Sequence, residues 1–294
     1  MKKNILVIIG TRPEALKLFP VVYELNIQEN LRIKICVTAQ HRDLLDPILA
    51  FSKIKPDFDL NVMKANQSLD QLSSRLLLAI GEVYDRDRPD RVVVQGDTTS
   101  AMIGALAAYY RRIPVSHIEA GLRSGNVYEP WPEEVNRKII TQIADQHFAP
   151  TARAAEMLYL ENVPRTQVHV TGNTIIDALL ACRAMIEADP GLSVLGPNLA
   201  ERHKNRKIIL ATCHRRENFG DRIRQIGDAF ERILQRRDVA IVLPLHPNPN
   251  VRDALGARLA SHPQAEVIPP QEYPDFVSLL ATAYLVLTDS GGVQ

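Results

Sequence analysis

Short apolar runs ending in polar or glycine-bearing turns, each followed by a longer amphipathic stretch, recur along most of this 294-residue sequence. The first run, Ile5 to Ile9, is almost continuously apolar and stops at Gly10-Thr11-Arg12-Pro13. A run of that length, apolar on both faces, reads as a buried parallel strand leading into a sharp turn. Pro13 suits the first turn of a helix, with Ala15, Leu16, Phe19, Val22 and Tyr23 as its apolar face. Further strands are expected at Ile33 to Thr38, Arg91 to Gln95, Pro114 to Ile118 and Gln146 to Ala149. Helices are expected near Leu69 to Arg86, Thr99 to Arg111, Glu133 to Ile143 and Ala152 to Glu161.

A second series follows, with strands at Lys207 to Thr212, Val239 to Leu243, Val267-Ile268 and Tyr284 to Thr288, and helices at Asp221 to Arg236 and Pro274 to Ala281. Repeated strand–helix alternation indicates α/β domains with parallel sheets. The stretch Asp189 to Arg206, which carries Pro190, Gly191, Gly196 and Pro197, reads as a linker or surface loop. A helix from Ile175 to Ala188 bridges the two series, so the functional boundary is set at Thr171, giving domains 1–171 and 172–294.

Composition narrows the class. Lys+Arg number 35 and Asp+Glu 34, a formal net charge of +1, which offers no electrostatic footprint for nucleic acid or an anionic membrane. Apolar residues at 46% and charged residues at 23% suit a globular chain. Cys36, Cys182 and Cys213 lie far apart without CxxC spacing, which fits a reducing compartment and gives no zinc signature. No apolar stretch reaches the roughly 20 residues of a membrane span, and no signal peptide is seen. A cytoplasmic protein is expected.

In open parallel sheets, ligands bind beyond the carboxyl ends of the strands. Six expected strand ends here carry charged, hydroxyl or glycine residues: Gly10-Thr11-Arg12 with Lys17 beyond, Gly96-Asp97-Thr98-Thr99, Glu119-Ala120-Gly121, Cys213-His214-Arg215-Arg216-Glu217, His246, and Asp289-Ser290-Gly291-Gly292. Each has a plainer reading. Asp97 with its threonines would serve equally as a helix cap. A lone histidine at a strand end is more often structural than catalytic. Ser290-Gly291-Gly292 would serve as a simple turn, although glycine at a helix start also opens N–H groups to a phosphate. Glu119 is harder to explain away, because a carboxylate after an apolar strand must be solvated or paired. A cleft lined by both series is the natural expectation. No GxGxxG or GxxxxGK[ST] is present, which argues against NAD and Walker-type sites, and no HExxH or tight ligand spacing suggests a metal.

Ten segments, in order over the whole chain, resemble those of the non-hydrolysing UDP-N-acetylglucosamine 2-epimerases. They are Gly10-Thr11-Arg12-Pro13-Glu14-Ala15-Leu16-Lys17, Ala39-Gln40-His41-Arg42, Gly96-Asp97-Thr98-Thr99, His117 to Arg123, Pro130 to Arg137, Thr171-Gly172-Asn173-Thr174, His214 to Asn218, His246 to Asn250, Gln271-Glu272-Tyr273 and Thr288 to Gly292. The resemblance implies two Rossmann-like domains in a GT-B arrangement with the active site between them, no cofactor, and a homodimer. It also implies reversible conversion of UDP-GlcNAc to UDP-ManNAc for bacterial surface polysaccharides.

By residue, the resemblance implies Asp97, Glu119, Glu133 and His214 as the catalytic set, and Arg12 and Lys17 on the substrate. It places Gln271 and Phe276 near the uridine, Ser290, Gly291 and Gly292 near the phosphates, and Gln40, His41, Arg75 and His246 in a regulatory site for a second UDP-GlcNAc. Family members continue past the Ser-Gly-Gly segment, so the second domain is expected to be incomplete at Gln294. A GT-B glycosyltransferase and a non-catalytic nucleotide-sugar binder remain the alternative readings.

Overall fold

The computed structural model describes residues 2–38, 42–62, 67–213, 215 and 218–290. The chain divides into two compact units, Met1–Ala178 and Leu179–Gln294. The division falls inside a helix, Thr174–Ala188, rather than at Thr171.

The first unit runs β1 (Lys3–Ile9), α1 (Arg12–Asn26), β2 (Leu31–Val37), α2 (Arg42–Phe51), β3 (Phe58–Asp59), α3 (Leu69–Asp87), β4 (Arg91–Gln95), α4 (Thr99–Tyr110), β5 (Val115–Ile118), α5 (Glu133–Ile143), β6 (Gln146–Ala149), α6 (Ala152–Leu160), β7 (Val168–Val170) and α7 (Thr174–Ala188). Among the described residues its strands form one all-parallel sheet in the order β3-β2-β1-β4-β5-β6-β7. Side-chain alternation sends Leu6 and Ile8 to one face of the sheet. There they meet Leu72, Leu76, Ile80 and Tyr84, spaced four residues apart along one stripe of α3. The alanines of α4 let that helix lie close to the strands, and the buried Tyr84 hydroxyl donates to the Gly104 carbonyl at 3.0 Å. Ser68 and Gln71 form a capping box that fixes where α3 begins.

The second unit contains α8 (Leu195–Arg202), β8 (Lys207–Thr212), α9 (Asp221–Leu234), β9 (Val239–Pro244), the short turns α10 (Pro249–Val251) and α11 (Ala257–Ala260), β10 (Ala265–Ile268), α12 (Tyr273–Thr282) and β11 (Leu285–Thr288). Its described strands are also parallel, ordered β10-β9-β8-β11. Ile209 and Ala211 face a cluster with Ile223, Phe230 and Leu234, while Ile208 and Leu210 face Leu199 and Leu279. Both faces of β8 are therefore covered, which is why its sequence is apolar without alternation.

The region expected as a linker or loop at 189–206 is largely helical. Pro197 sits in the first turn of α8, where its missing N–H costs nothing. Gly196 allows the helix to press against α12, with its N–H donating to the Ser278 hydroxyl at 3.2 Å. The α/β class and the parallel sheets are as the alternation of elements predicts. Among the described residues no helix is long and apolar enough to cross a membrane.

Candidate active site

Each sheet has a point where strand order reverses: between β1 and β4 in the first unit, and between β8 and β11 in the second. The loops leaving adjacent strands part company there, so the carboxyl edge opens into a crevice. The turns that follow these four strands are Gly10-Thr11-Arg12, Gly96-Asp97-Thr98, Cys213 onward, and Asp289-Ser290. Topology thus picks out four of the six polar strand ends.

Glu119 follows β5, next to β4, and its backbone is left-handed at φ +63°. Lys17, one helical turn into α1 from Arg12, places its ammonium 2.6 Å from both carboxylate oxygens. Gln95, the last residue of β4, donates to Oε2 at 2.6 Å, and Asn173, between β7 and α7, donates to Oε1 at 3.0 Å. With its side chain only 9% exposed, Glu119 is held by donors from three other parts of the sheet's edge. A buried carboxylate satisfied in this way is fixed in position.

Asp97 belongs to a second cluster. Its carboxylate pairs with Arg137 of α5, and its backbone carbonyl accepts from the Asn136 amide at 2.9 Å. Arg137 also meets the fully buried Glu134 at 3.2 Å, and Glu134 accepts the Ser124 N–H at 3.1 Å. The helix-cap reading of Asp97 resolves in favour of its neighbour: Thr98 caps α4, its hydroxyl accepting the Ala101 N–H at 3.0 Å. On the other side of the same turn, His117 lies with Nε2 2.7 Å from the Gly96 carbonyl. Burial pushes this imidazole down to about 3, so it is neutral and Nε2 carries the donated hydrogen.

Glu133 opens α5, half-buried, and makes no side-chain hydrogen bond or ion pair among the described residues. Arg12, at the first position of α1, is likewise half-buried and without a side-chain partner among the described residues. A guanidinium at a helix N-terminus with no carboxylate on it is suited to an anionic group. Two residues on, the buried Glu14 accepts from the Thr11 hydroxyl at 2.7 Å and the Thr98 hydroxyl at 2.9 Å. Burial raises its carboxyl from 4.5 to about 7, against the lowering effect of those hydrogen bonds.

In the second unit, Asp289 ties the turns after β8 and β11 together, accepting from the Arg215 N–H at 2.9 Å, the Asn218 amide at 3.0 Å and the Cys213 thiol at 3.4 Å. The Ser290 N–H donates to the Thr288 hydroxyl at 2.9 Å. Gln271 leads into α12 and donates to the Pro269 carbonyl. Phe276, on α12, packs against the cluster of Leu199, Ile208 and Leu279. Arg75, on α3, donates to the Gln67 side chain at 2.7 Å. His246 is exposed after β9 and lines a cavity of about 390 Å³ with Leu245, Arg252, Pro269 and Pro270. His214, Gly291, Gly292, Gln40 and His41 lie outside the described residues.

Of the residues singled out from sequence, Lys17 and Glu119 are in direct contact. Gln95, Asn173, Asn136 and Arg137 were not assigned roles, yet they hold the two acids. Asn173 had a usable signal, since Thr171-Gly172-Asn173-Thr174 is another polar strand end, after β7.

Parallel sheets, with acids and cations gathered where the strand order reverses, define an α/β enzyme of the kind that handles nucleotide-type ligands at strand ends. Comparison makes the class particular. The UDP-N-acetylglucosamine 2-epimerase family profile matches residues 23–294. A protein of Ralstonia solanacearum named "Probable UDP-N-acetylglucosamine 2-epimerase" is 47% identical, over 99% of this chain and 78% of its own length. The UDP-N-acetylglucosamine 2-epimerase of Escherichia coli K12 is 44% identical over the same shares. The crystal structure of the Neisseria meningitidis UDP-GlcNAc 2-epimerase, bound to UDP-GlcNAc, superposes with a TM-score of 0.88 at 42% identity, covering 99% of this chain and 78% of that one. The chain belongs to the UDP-N-acetylglucosamine 2-epimerase family, a family of isomerases. Membership sets aside the glycosyltransferase alternative.

Proposed function

We propose that this chain interconverts UDP-GlcNAc and UDP-ManNAc by eliminating and re-adding UDP. A base removes the C2 proton, the C–H electron pair forms the C1=C2 bond, and the C1–O bond breaks with its pair leaving on UDP. Return of a proton to the opposite face of the 2-acetamidoglucal, with attack of the diphosphate oxygen on C1, completes the inversion. No redox partner is required, because the C1–O bond supplies the electron sink.

Such a path needs acid–base groups that reach both faces of C2 and cations on the departing diphosphate. Asp97, Glu119, Glu133 and His214 are the proposed catalytic set, and Arg12 and Lys17 the proposed diphosphate cations. Gln271 and Phe276 are assigned to the uridine, and Ser290, Gly291 and Gly292 to the phosphates. Gln40, His41, Arg75 and His246 are assigned to a second, regulatory UDP-GlcNAc. The proposed setting is cytoplasmic synthesis of bacterial surface polysaccharide precursors by a homodimer.

The observation carrying this reading is Glu119, gripped by Lys17, Gln95 and Asn173 beside the β1/β4 crevice, where a carboxylate must be preorganised to take or give a proton. The test is NMR of UDP-GlcNAc incubated with the protein in D₂O without added NAD. Deuterium is expected at C2 of both epimers. Epimerisation with full retention of the original C2 hydrogen would eliminate the mechanism.

A further inference from the structure

Glu14 is 1% exposed and has no cation among the groups that shift its carboxyl. A carboxyl in that setting is costly, and an apolar residue of similar size would fill the space without the cost. What the carboxyl contributes is a bridge. Its two oxygens accept from different turns, Oε2 from Thr11 after β1 and Oε1 from Thr98 after β4. The same Thr98 hydroxyl also accepts the Ala101 N–H, so the group that caps α4 is the one that reaches Glu14.

The surroundings are built tightly around this bridge. A side chain on Gly10 would lie 2.5 Å from the Ser100 Cβ and 3.0 Å from Glu14 Oε2, so Gly10 is bare where the carboxylate passes. The buried Ser100 hydroxyl in turn meets that of Thr38, just past β2, at 2.9 Å. The residues that follow the two bridged threonines and precede them in the chain are Arg12, immediately after Thr11, and Asp97, immediately before Thr98.

We propose that Glu14 is a positioning residue that, through Thr11 and Thr98, locks the β1 and β4 turns into one unit and so sets the spacing of Arg12 and Asp97. The bridge itself stands on the hydrogen bonds; its catalytic consequence rests on the reaction proposed above. Glu14 touches no reacting atom in this scheme. Its effect is on geometry, where a displacement of about 1 Å can change a rate by roughly a hundredfold.

The test uses the full chain with Glu14→Gln, Thr11→Val and Thr11→Ser. Val keeps the shape of Thr11 without its hydroxyl, and Ser keeps the hydroxyl. Amide hydrogen exchange is followed at residues 10–15 and 96–101, with β5 and β6 as internal reference. Glu14→Gln and Thr11→Val are each expected to speed exchange in both turns together by about tenfold or more, leaving β5 and β6 unchanged. In turnover, kcat is expected to fall about tenfold or more while KM for UDP-GlcNAc stays within about threefold, the pattern of lost transition-state geometry. Thr11→Ser is expected to restore both readouts.

Loosening confined to the β1 turn in Thr11→Val would overturn the lock. So would equal behaviour of Thr11→Ser and Thr11→Val, while unchanged kcat with both turns loosened would overturn the positioning of Arg12 and Asp97. If Glu14→Gln does not fold, the Thr11 pair decides alone. If the unaltered protein incorporates no deuterium at C2, the reaction is what fails, and turn-to-turn coupling in the exchange data still decides the lock.

Discussion

Three carboxylates close to one strand-end crevice are held in three different ways, and each makes a separate expectation. Glu119 is gripped by an ammonium and two amides, and Asp97 by a guanidinium, so removing either charge without changing shape isolates its chemical part. Glu119→Gln and Asp97→Asn are each expected to lower turnover by roughly 10²–10⁴ with the fold intact. Steady-state rates together with circular dichroism check this, and near-normal turnover in both variants would take them out of the reaction. Glu14 carries the opposite sign for stability. Its carboxyl is raised by burial from 4.5 to about 7, so ionisation opposes folding. That cost is small below pH 4.5, grows between pH 4.5 and 7, and is constant above. Glu14→Gln is therefore expected to gain about 2–3 kcal/mol relative to the unaltered chain between pH 5 and pH 8. Urea unfolding at the two pH values measures the difference, and a constant gap would show that the carboxyl does not titrate there.

At the scale of elements, continuous apolar runs made interior strands legible: Arg91–Gln95 and Lys207–Thr212 lie where they were expected. The helix Glu133–Ile143 does too, because its apolar positions keep helical spacing. The elements that went unread carry a breaker or are too short to show a period. Pro47 lies within α2, Gly196-Pro197 opens α8, and β3 and β7 have two and three residues. In the site, single residues at strand ends were legible but their partners were not. Lys17 and Glu119 are 102 residues apart, and sheet order rather than local pattern brings them together. Arg123 shows the same limit: it stands in a family-like segment, yet its buried guanidinium clamps Glu161 at the end of α6 at 2.7 Å and donates to Thr141 at 2.9 Å. Next to it, Gly121 has φ +88°, and any side chain there would overlap the Ala154 carbonyl of α6. Arg123→Ala leaves a partly buried carboxylate without its cation, and a loss of about 3 kcal/mol is expected. Arg123 holds the Glu161 carboxyl below its usual range, so this stabilisation is present above pH 4.5 and disappears as pH falls through the lowered value. Denaturant unfolding at pH 7 and in acid tests both size and direction; an equal deficit at both would point to packing rather than charge.

For the whole molecule, the two units each carry their own sheet and their own apolar clusters. The break between the units falls within one unbroken helix, which gives no compositional signal in the sequence. A fragment of residues 1–188 is expected to unfold cooperatively and keep the Lys17–Glu119 contact, because every partner of that contact lies in the first unit. It is expected to incorporate no deuterium into UDP-GlcNAc, because Gln271 and Ser290, assigned to uridine and phosphate, are absent. A thermal melt followed by circular dichroism and the D₂O assay address the two halves separately. Non-cooperative melting would mean that the first unit depends on the second to fold, and C2 exchange by the fragment would remove the second unit from the chemistry.

The left-handed backbone of Glu119 has a consequence for any library built on this chain. Glycine adopts that conformation without steric cost, whereas a residue with a Cβ does not. Among neutral replacements that all forfeit the carboxylate, glycine is thus favoured over alanine there by about 1 kcal/mol. A population that has already lost the acid would drift toward a bare backbone at position 119, while selection for growth on the product would hold the acid in place. Reading that one codon after several rounds would reveal which pressure the population had felt.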